Sequence, residues 1–184
     1  ILTDWNGLMI AAFAKGAQAF NEPRYAEAAE QAASFFLAKM RDKKGRLLHR
    51  YRDGEAAVPA YLDDYAFLIR GLLELYETTF NITYLEQALA LNQDLLQRFW
   101  DDAVVPATES VLSRKEKGGF FFTADDGEKL PIRQKQIYDG ALPSGNSVAM
   151  LNLLRLGRLI AEPELEEKAA SLSQAFAGTV WQTP

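Results

Sequence analysis

The sequence contains no cysteine, which excludes a disulfide, a thiolate metal site and a dithiol redox centre within these 184 residues. Histidine occurs once, at His49. No metal-ligand cluster, glycine-rich phosphate loop or nucleophile elbow is present, and "GGFFF" reads as hairpin material rather than a phosphate cradle. Basic residues are in the minority: 20 Lys and Arg face 25 Asp and Glu, giving a net charge of −5 and a pI near 5.0. That balance leaves no footprint for nucleic acid or an anionic membrane surface. No run of about 18 apolar residues suggests a spanning helix. No charged-then-apolar segment opens the chain, so a cytoplasmic location is expected. What remains is ordinary globular composition, 48% hydrophobic and 24% charged, enough for one domain with a substantial core over residues 1–184.

The strongest signal is internal repetition. "NGLMIAAFAKGAQAFNEPRYAEAAEQAASF", from Asn6, aligns with the stretch from Tyr65 and again with that from Asn146. Leu8 then matches Phe67 and Val148, Phe13 matches Leu72 and Leu153, and Tyr25 matches Tyr84 and Leu165. Each unit reads helix, short turn, helix. The second helix is amphipathic, with Tyr25, Ala29, Ala32, Phe36 and Met40 on one face. The first is apolar nearly all round and must be covered on most sides. Its few polar positions also repeat, Lys15 with Glu74 and Arg155, leaving a narrow stripe on which opposite charges can pair.

An apolar inner helix alternating with an amphipathic outer one predicts an all-α fold, a segment of an α/α toroid. About three hairpins make an incomplete six-hairpin-type barrel, a fragment of a larger one, whose flanks require further hairpins or a second copy as a homo-oligomer. Inner-to-outer turns are short. Outer-to-inner connections run to about twenty residues from Asp42 and about forty from Asp102, each holding a predicted strand or small β-hairpin. The long loops therefore gather with the N-termini of the inner helices, where sites on rigid scaffolds usually lie.

At those junctions, Asp4, Asp63 and Ser144 hold equivalent positions and read as N-caps. Asp64, one step on, is placed in a first turn where the helix dipole would lower its pKa. Asn6 and Asn146 read either as extra caps or as hydrogen-bonding partners of ligand hydroxyls. Asp139 sits in a loop beside Tyr138 with no cap to make and only Arg133 or Lys135 as partners; a solvated turn residue is its structural reading. Strand alternation places Arg50 and Arg52 on one side of the first hairpin and His49 with Tyr51 on the other. Trp5, Tyr61, Tyr65 and Tyr138 fall on the same end, suited to stacking on sugar rings or simply to packing.

The stretches "LTDWNGLMIAA", "YLDDYAFLIRGLLELYE" and "YDGALPSGNSVAMLNLLRL" resemble the helical C-terminal region of thioredoxin-domain proteins related to spermatogenesis-associated proteins, called YyaL-like in bacteria. The resemblance covers almost the whole chain. It implies a preceding thioredoxin-like domain, here absent, and an α/α barrel similar to six-hairpin glycosidases and N-acylglucosamine epimerases. Ala103 to Lys117 departs from that pattern as an insertion.

Two functions follow. One is binding or processing of a sugar-like small molecule in the funnel, without cofactor or metal. Asp64 and Asp139 are its candidate catalytic carboxylates, with Asp4 and Asp63 in reserve. Trp5, Asn6, Arg50, Arg52, Tyr65, Tyr138 and Asn146 are its candidate binding residues. An epimerase of the resembling kind uses histidines, and His49 stands alone. The other is a non-catalytic binding or scaffold module of a thioredoxin-like redox protein.

Overall fold

The three apolar runs become three helices, and each is turned back by a residue in the left-handed region. The computed structural model describes residues 1–102, 118–127 and 130–182. The insertion Ala103–Lys117 lies outside them. The described elements are α1 (Thr3–Phe20), α2 (Pro23–Lys39), β1 (Leu48–Arg52), β2 (Glu55–Pro59), α3 (Leu62–Thr79), α4 (Ile82–Phe99), α5 (Gly145–Ile160) and α6 (Pro163–Gln182). They pair as the three expected hairpins, α1–α2, α3–α4 and α5–α6.

The hairpin turns are equivalent to the residue. Asn21, Phe80 and Ala161 end the first helices with φ of 51, 55 and 56°. Their amides bond back to the carbonyls of Ala17, Tyr76 and Gly157. Only asparagine tolerates this conformation well; phenylalanine and alanine pay a steric penalty for it. Pro23 and Pro163 then open the second helices, where a missing N–H costs nothing.

The chain forms two compact units, Ile1–Asp94 and the part from Leu95 onward. In the first, α1 packs on α2 and α3. A Cβ on Gly7 would lie 2.5 Å from the carbonyl carbon of Phe67, and one on Gly71 would lie 2.7 Å from the Gly7 oxygen. These glycines let the two helices meet backbone to backbone. As expected of an inner helix, α3 is buried nearly all round, from Asp64 to Ile69 and from Gly71 to Leu75. On α1, by contrast, Trp5 and Met9 stay exposed. The opposite charges of the polar stripe do meet, Lys15 Nζ lying 2.7 Å from the carboxylate of buried Glu74. The α2 stripe buries Ala29, Ala33 and Phe36, with Ala33 taking the place expected for Ala32.

The first predicted hairpin forms as read. Strands β1 and β2 pair antiparallel across Asp53-Gly54, whose φ values of 52 and 85° are those of the two-residue turn that suits strand twist. Thr3, fully buried, donates from Oγ1 to the Leu48 carbonyl at 2.6 Å and ties the hairpin to the start of α1.

In the second unit, α5 packs on α6. The second predicted hairpin is not regular among the described residues. It is reduced to a bridge between Trp100 and Phe120 and a bond from the Phe122 amide to the Gln134 carbonyl at 2.8 Å. Gly118 and Gly119, at φ of 83 and 76°, break the pleat that a strand needs.

Candidate functional site

The helix starts do not fall where the repeat places them. Helix α1 is entered from Leu2, an extended residue bridged to Arg50, and α3 from Tyr61, also extended. Both begin two residues earlier in the repeat frame than α5. Asp4 and Asp63 therefore sit inside the first turn and are not the N-caps expected of them. Ser144 is the one that caps as read: its Oγ accepts the Ser147 amide at 3.1 Å.

This shift carries Asp64 to the third position of α3, facing back over the helix start. Its Oδ2 accepts the Tyr61 amide at 2.8 Å, the return bond of a capping box. Its Oδ1 accepts the Asp4 amide at 3.0 Å, so one carboxylate serves two helix N-termini. The third donor is His49, whose Nδ1 lies 2.9 and 3.0 Å from the two oxygens. Asp64 is only 1% exposed. Burial pushes its carboxyl up to about 6, against the three donors that favour the charged form. The helix dipole was expected to lower it. Desolvation outweighs the dipole because the carboxylate is inside the fold, not on a wet first turn.

The strand β1 delivers His49 to this carboxylate, so the inward side of the hairpin is the His49 side. The Tyr61 ring packs edge-on to the imidazole, with centroids 5.3 Å apart. Facing a buried carboxylate, Nδ1 is the ring nitrogen that donates, and the contact orients the imidazole. The His49 side chain keeps 22% of its surface, and Nε2 is its remaining ring nitrogen. Among the described residues nothing hydrogen-bonds to it.

Asp4 completes the cluster. It is half-buried, and ligand atoms of Asp4, His49 and Asp64 all lie within 4.8 Å of one another. Such a set could in principle hold a cation. Three hydrogen-bond donors already converge on Asp64, however, and one is the His49 ring N–H. That donor set describes an oriented histidine beside a second carboxylate, not a cation cage.

The other candidates are distributed as follows. Trp5, next to Asp4, is 58% exposed and remains available for stacking. Arg50 is half-buried on β1 and Arg52 is exposed, bonding to Asp53 at 3.1 Å. Asn6 donates its side-chain amide to the Leu2 carbonyl at 2.7 Å, a bond that ties it to the helix start without capping a free amide. Tyr65 is corrected: it is 2% exposed, and its hydroxyl donates to Asp94 at 2.5 Å, bracing α3 on α4 rather than lining a mouth.

In the second unit Asn146 is likewise corrected. It is fully buried; Oδ1 accepts the Phe120 amide at 2.8 Å, and Nδ2 donates to the Phe120 and Gln136 carbonyls at 3.0 and 2.8 Å. Both of its N–H donors are taken, and the buried side chain offers nothing to a ligand hydroxyl. Asp139 is exposed but does have a helix-start role, since its Oδ1 accepts the Ser144 amide at 2.7 Å. The partners expected for it bond elsewhere. Arg133 donates to the Thr123 and Arg98 carbonyls and stacks on Phe121, and Lys135 pairs with Asp101 at 2.5 Å. Tyr138 is 80% exposed.

Sequence reasoning passed over His49 as a site residue. Its signal was there in the strand alternation, which set it opposite the two arginines, but nothing in the pattern said which side faces in.

Comparison with known proteins agrees with the resemblance. No family model matches the chain. It is 34% identical over its whole length to spermatogenesis-associated protein 20 of Homo sapiens, of which it spans 23%, about a quarter. The chain is thus a homologue of a segment of that longer protein. A GH76 α-mannanase of Bacteroides thetaiotaomicron shares the fold at a TM-score of 0.70 and 15% identity, over 96% of this chain and 44% of that one. A cellobiose 2-epimerase of Spirochaeta thermophila does so at 0.68 and 19%, over 95% and 42%. The fold is that of α/α toroids of the six-hairpin glycosidase type. Among the described residues no helix is long and apolar enough to cross a membrane.

Proposed function

We propose that this homologue of a segment of spermatogenesis-associated protein 20 binds or processes a carbohydrate where the starts of α1 and α3 meet the β-hairpin. His49 is the group that acts on the ligand and Asp64 is the residue that orients it. The observation that carries the reading is the His49 Nδ1 contact to both oxygens of a buried carboxylate, at 2.9 and 3.0 Å, which orients a ring whose Nε2 bonds to none of the described residues. An imidazole held in one tautomer is a ready hydrogen-bond acceptor and general base. The two likenesses to a mannanase and an epimerase, sugar-active proteins by name, support the ligand class. The paired-carboxylate scheme loses ground, because Asp64 is committed to three donors and Asp139 to a helix start.

The same commitment of Asp64 to two helix-start amides favours a second reading, a non-catalytic binding module within a longer thioredoxin-like protein. Titration of the chain with mono- and disaccharides, followed by calorimetry and by the NMR resonances of His49, tests the first. Binding that moves the His49 resonances and is lost in His49→Gln is expected. Failure of every saccharide to bind would leave the module reading.

A further inference from the structure

We infer that the open face of α1 binds a second copy of this chain, head to tail, with α5 of one copy lying on α1 of the other. The way α1 lies on α3 supplies the pattern. A Cβ built onto Gly7 of α1 would stand 2.6 Å from the Leu68 amide nitrogen, and one built onto Gly71 of α3 would stand 3.1 Å from the Ile10 side chain. Further along, the Thr78 hydroxyl donates to the Ala14 carbonyl at 3.2 Å. Gly7, Ile10 and Ala14 are thus the face that α1 lays down. Leu68, Gly71 and Thr78 are the face on which α3 receives it.

The repeat carries both faces to every inner helix. On α1 the receiving positions are Met9, Ala12 and Ala19. All three are exposed, Met9 by 50%, whereas its counterpart Leu68 is completely buried. The laying-down positions of α3 are Ala66, Ile69 and Leu73, all completely buried. Those of α5 are Ser147, Met150 and Leu154, all only half-buried. Met150 also lines an open apolar groove of about 230 Å³ with Ile137, Leu172 and Phe176. One chain therefore carries an unfilled receiving face and an unused laying-down face, the two halves of a contact it already builds between α1 and α3. Two copies that exchange both contacts bring together six hairpins, three from each, and bury two such contacts toward the area a stable homodimer needs. At the centre, Ala12 and Ser147 replace Gly71 and Gly7 with small side chains, so the copies meet at a slightly wider spacing than α1 and α3. Lys15 is paired with Glu74 at 2.7 Å, so Arg155 of the second copy meets an ion pair and not a bare cation.

Sedimentation velocity of the full chain is expected to show a species of twice 20.6 kDa at micromolar concentration. A monomer at every concentration up to roughly 100 µM overturns the proposal. Because the chain has no cysteine, introduced ones report the register without background. Ala12 and Ser147 stand where Gly71 and Gly7 make their close approach. A mixture of Ala12→Cys with Ser147→Cys should therefore cross-link into a covalent dimer on mild oxidation, and neither variant alone should do so to a comparable extent. No cross-link in the mixture, or equal cross-linking of either variant by itself, overturns the head-to-tail arrangement. Should either variant fail to fold by circular dichroism, Met9→Arg, at an exposed position, decides instead. It places an unpaired charge in the contact and should weaken dimerisation about tenfold or more; association like that of the parent overturns the proposal.

Discussion

The starts of α3 and α5 are built on the same repeat, and each buries a polar side chain that a sequence would place at a solvent-facing mouth. At the start of α3 that side chain is Asp64, 1% exposed, which collects two helix-start amides and a histidine. At the start of α5 it is Asn146, fully buried, which collects three backbone groups of the 120 and 136 segments. The asparagine has both donors and an acceptor and can staple a loop by itself, neutral and complete. The carboxylate only accepts, so it leaves its charge to be shared with a titratable partner. A neutral clamp makes structure; an acceptor-only clamp also orients the histidine paired with it.

Asn146→Leu breaks this comparison most severely. It strands the Phe120 amide and carbonyl and the Gln136 carbonyl, at a cost of about 3–4 kcal/mol. Urea denaturation measures that loss, and hydrogen exchange at the Phe120 amide locates it. An unchanged denaturation midpoint would show that the loop does not depend on the clamp.

Asp64→Asn sharpens the other half. The folded chain holds the Asp64 proton up to about pH 6, while an unfolded aspartate releases it near the ordinary value of 3.8. The folded state therefore binds more protons between these values. The contribution of Asp64 to stability is full below the lower value and declines as pH rises through the upper one, by on the order of 3 kcal/mol. Relative to Asp64→Asn, the parent should lose stability across this window, as followed by thermal melts at stepped pH. Equal pH dependence of the two proteins would contradict a buried, strained carboxylate. In the same variant the amide donates to His49, so the ring adopts the other tautomer, which ¹⁵N shifts report directly.

The smallest effect compares the hairpin turns. Phe80→Gly and Ala161→Gly relieve a side chain held at φ of 55 and 56° and should each raise stability by about 0.5–1 kcal/mol. Asn21→Gly should change little. Three equal shifts in melting temperature would show that the asparagine is no better adapted than its counterparts.

The architecture was legible in the chain because hairpin repetition is a pattern of volumes and polarities at fixed spacing. Leu8, Phe67 and Val148 announced equivalent positions, and the left-handed turns at Asn21, Phe80 and Ala161 fall at the same repeat position. A strand or small hairpin after Asp42 was equally legible, and its turn falls at Asp53-Gly54, one of the few pairs that adopt two positive φ angles. The candidate site was legible only in its neighbourhood. Asp64 and Asp4 were singled out, but as catalytic carboxylate, suited to a nucleophile or base, and as cap; His49 was set aside, and Tyr65 and Asn146 were assigned to the ligand.

Local periodicity and turn chemistry, which depend on near neighbours in the chain, determined the helices, their pairing and the end of the hairpins at which polar residues collect. Which side of β1 faces inward, where α1 and α3 begin, and whether a carboxylate keeps its water were decided only when residues 4, 49 and 64 met. The reason is desolvation: the pKa of an acid and the tautomer of an imidazole answer to the groups that replace water around them, and those groups come from distant parts of the chain.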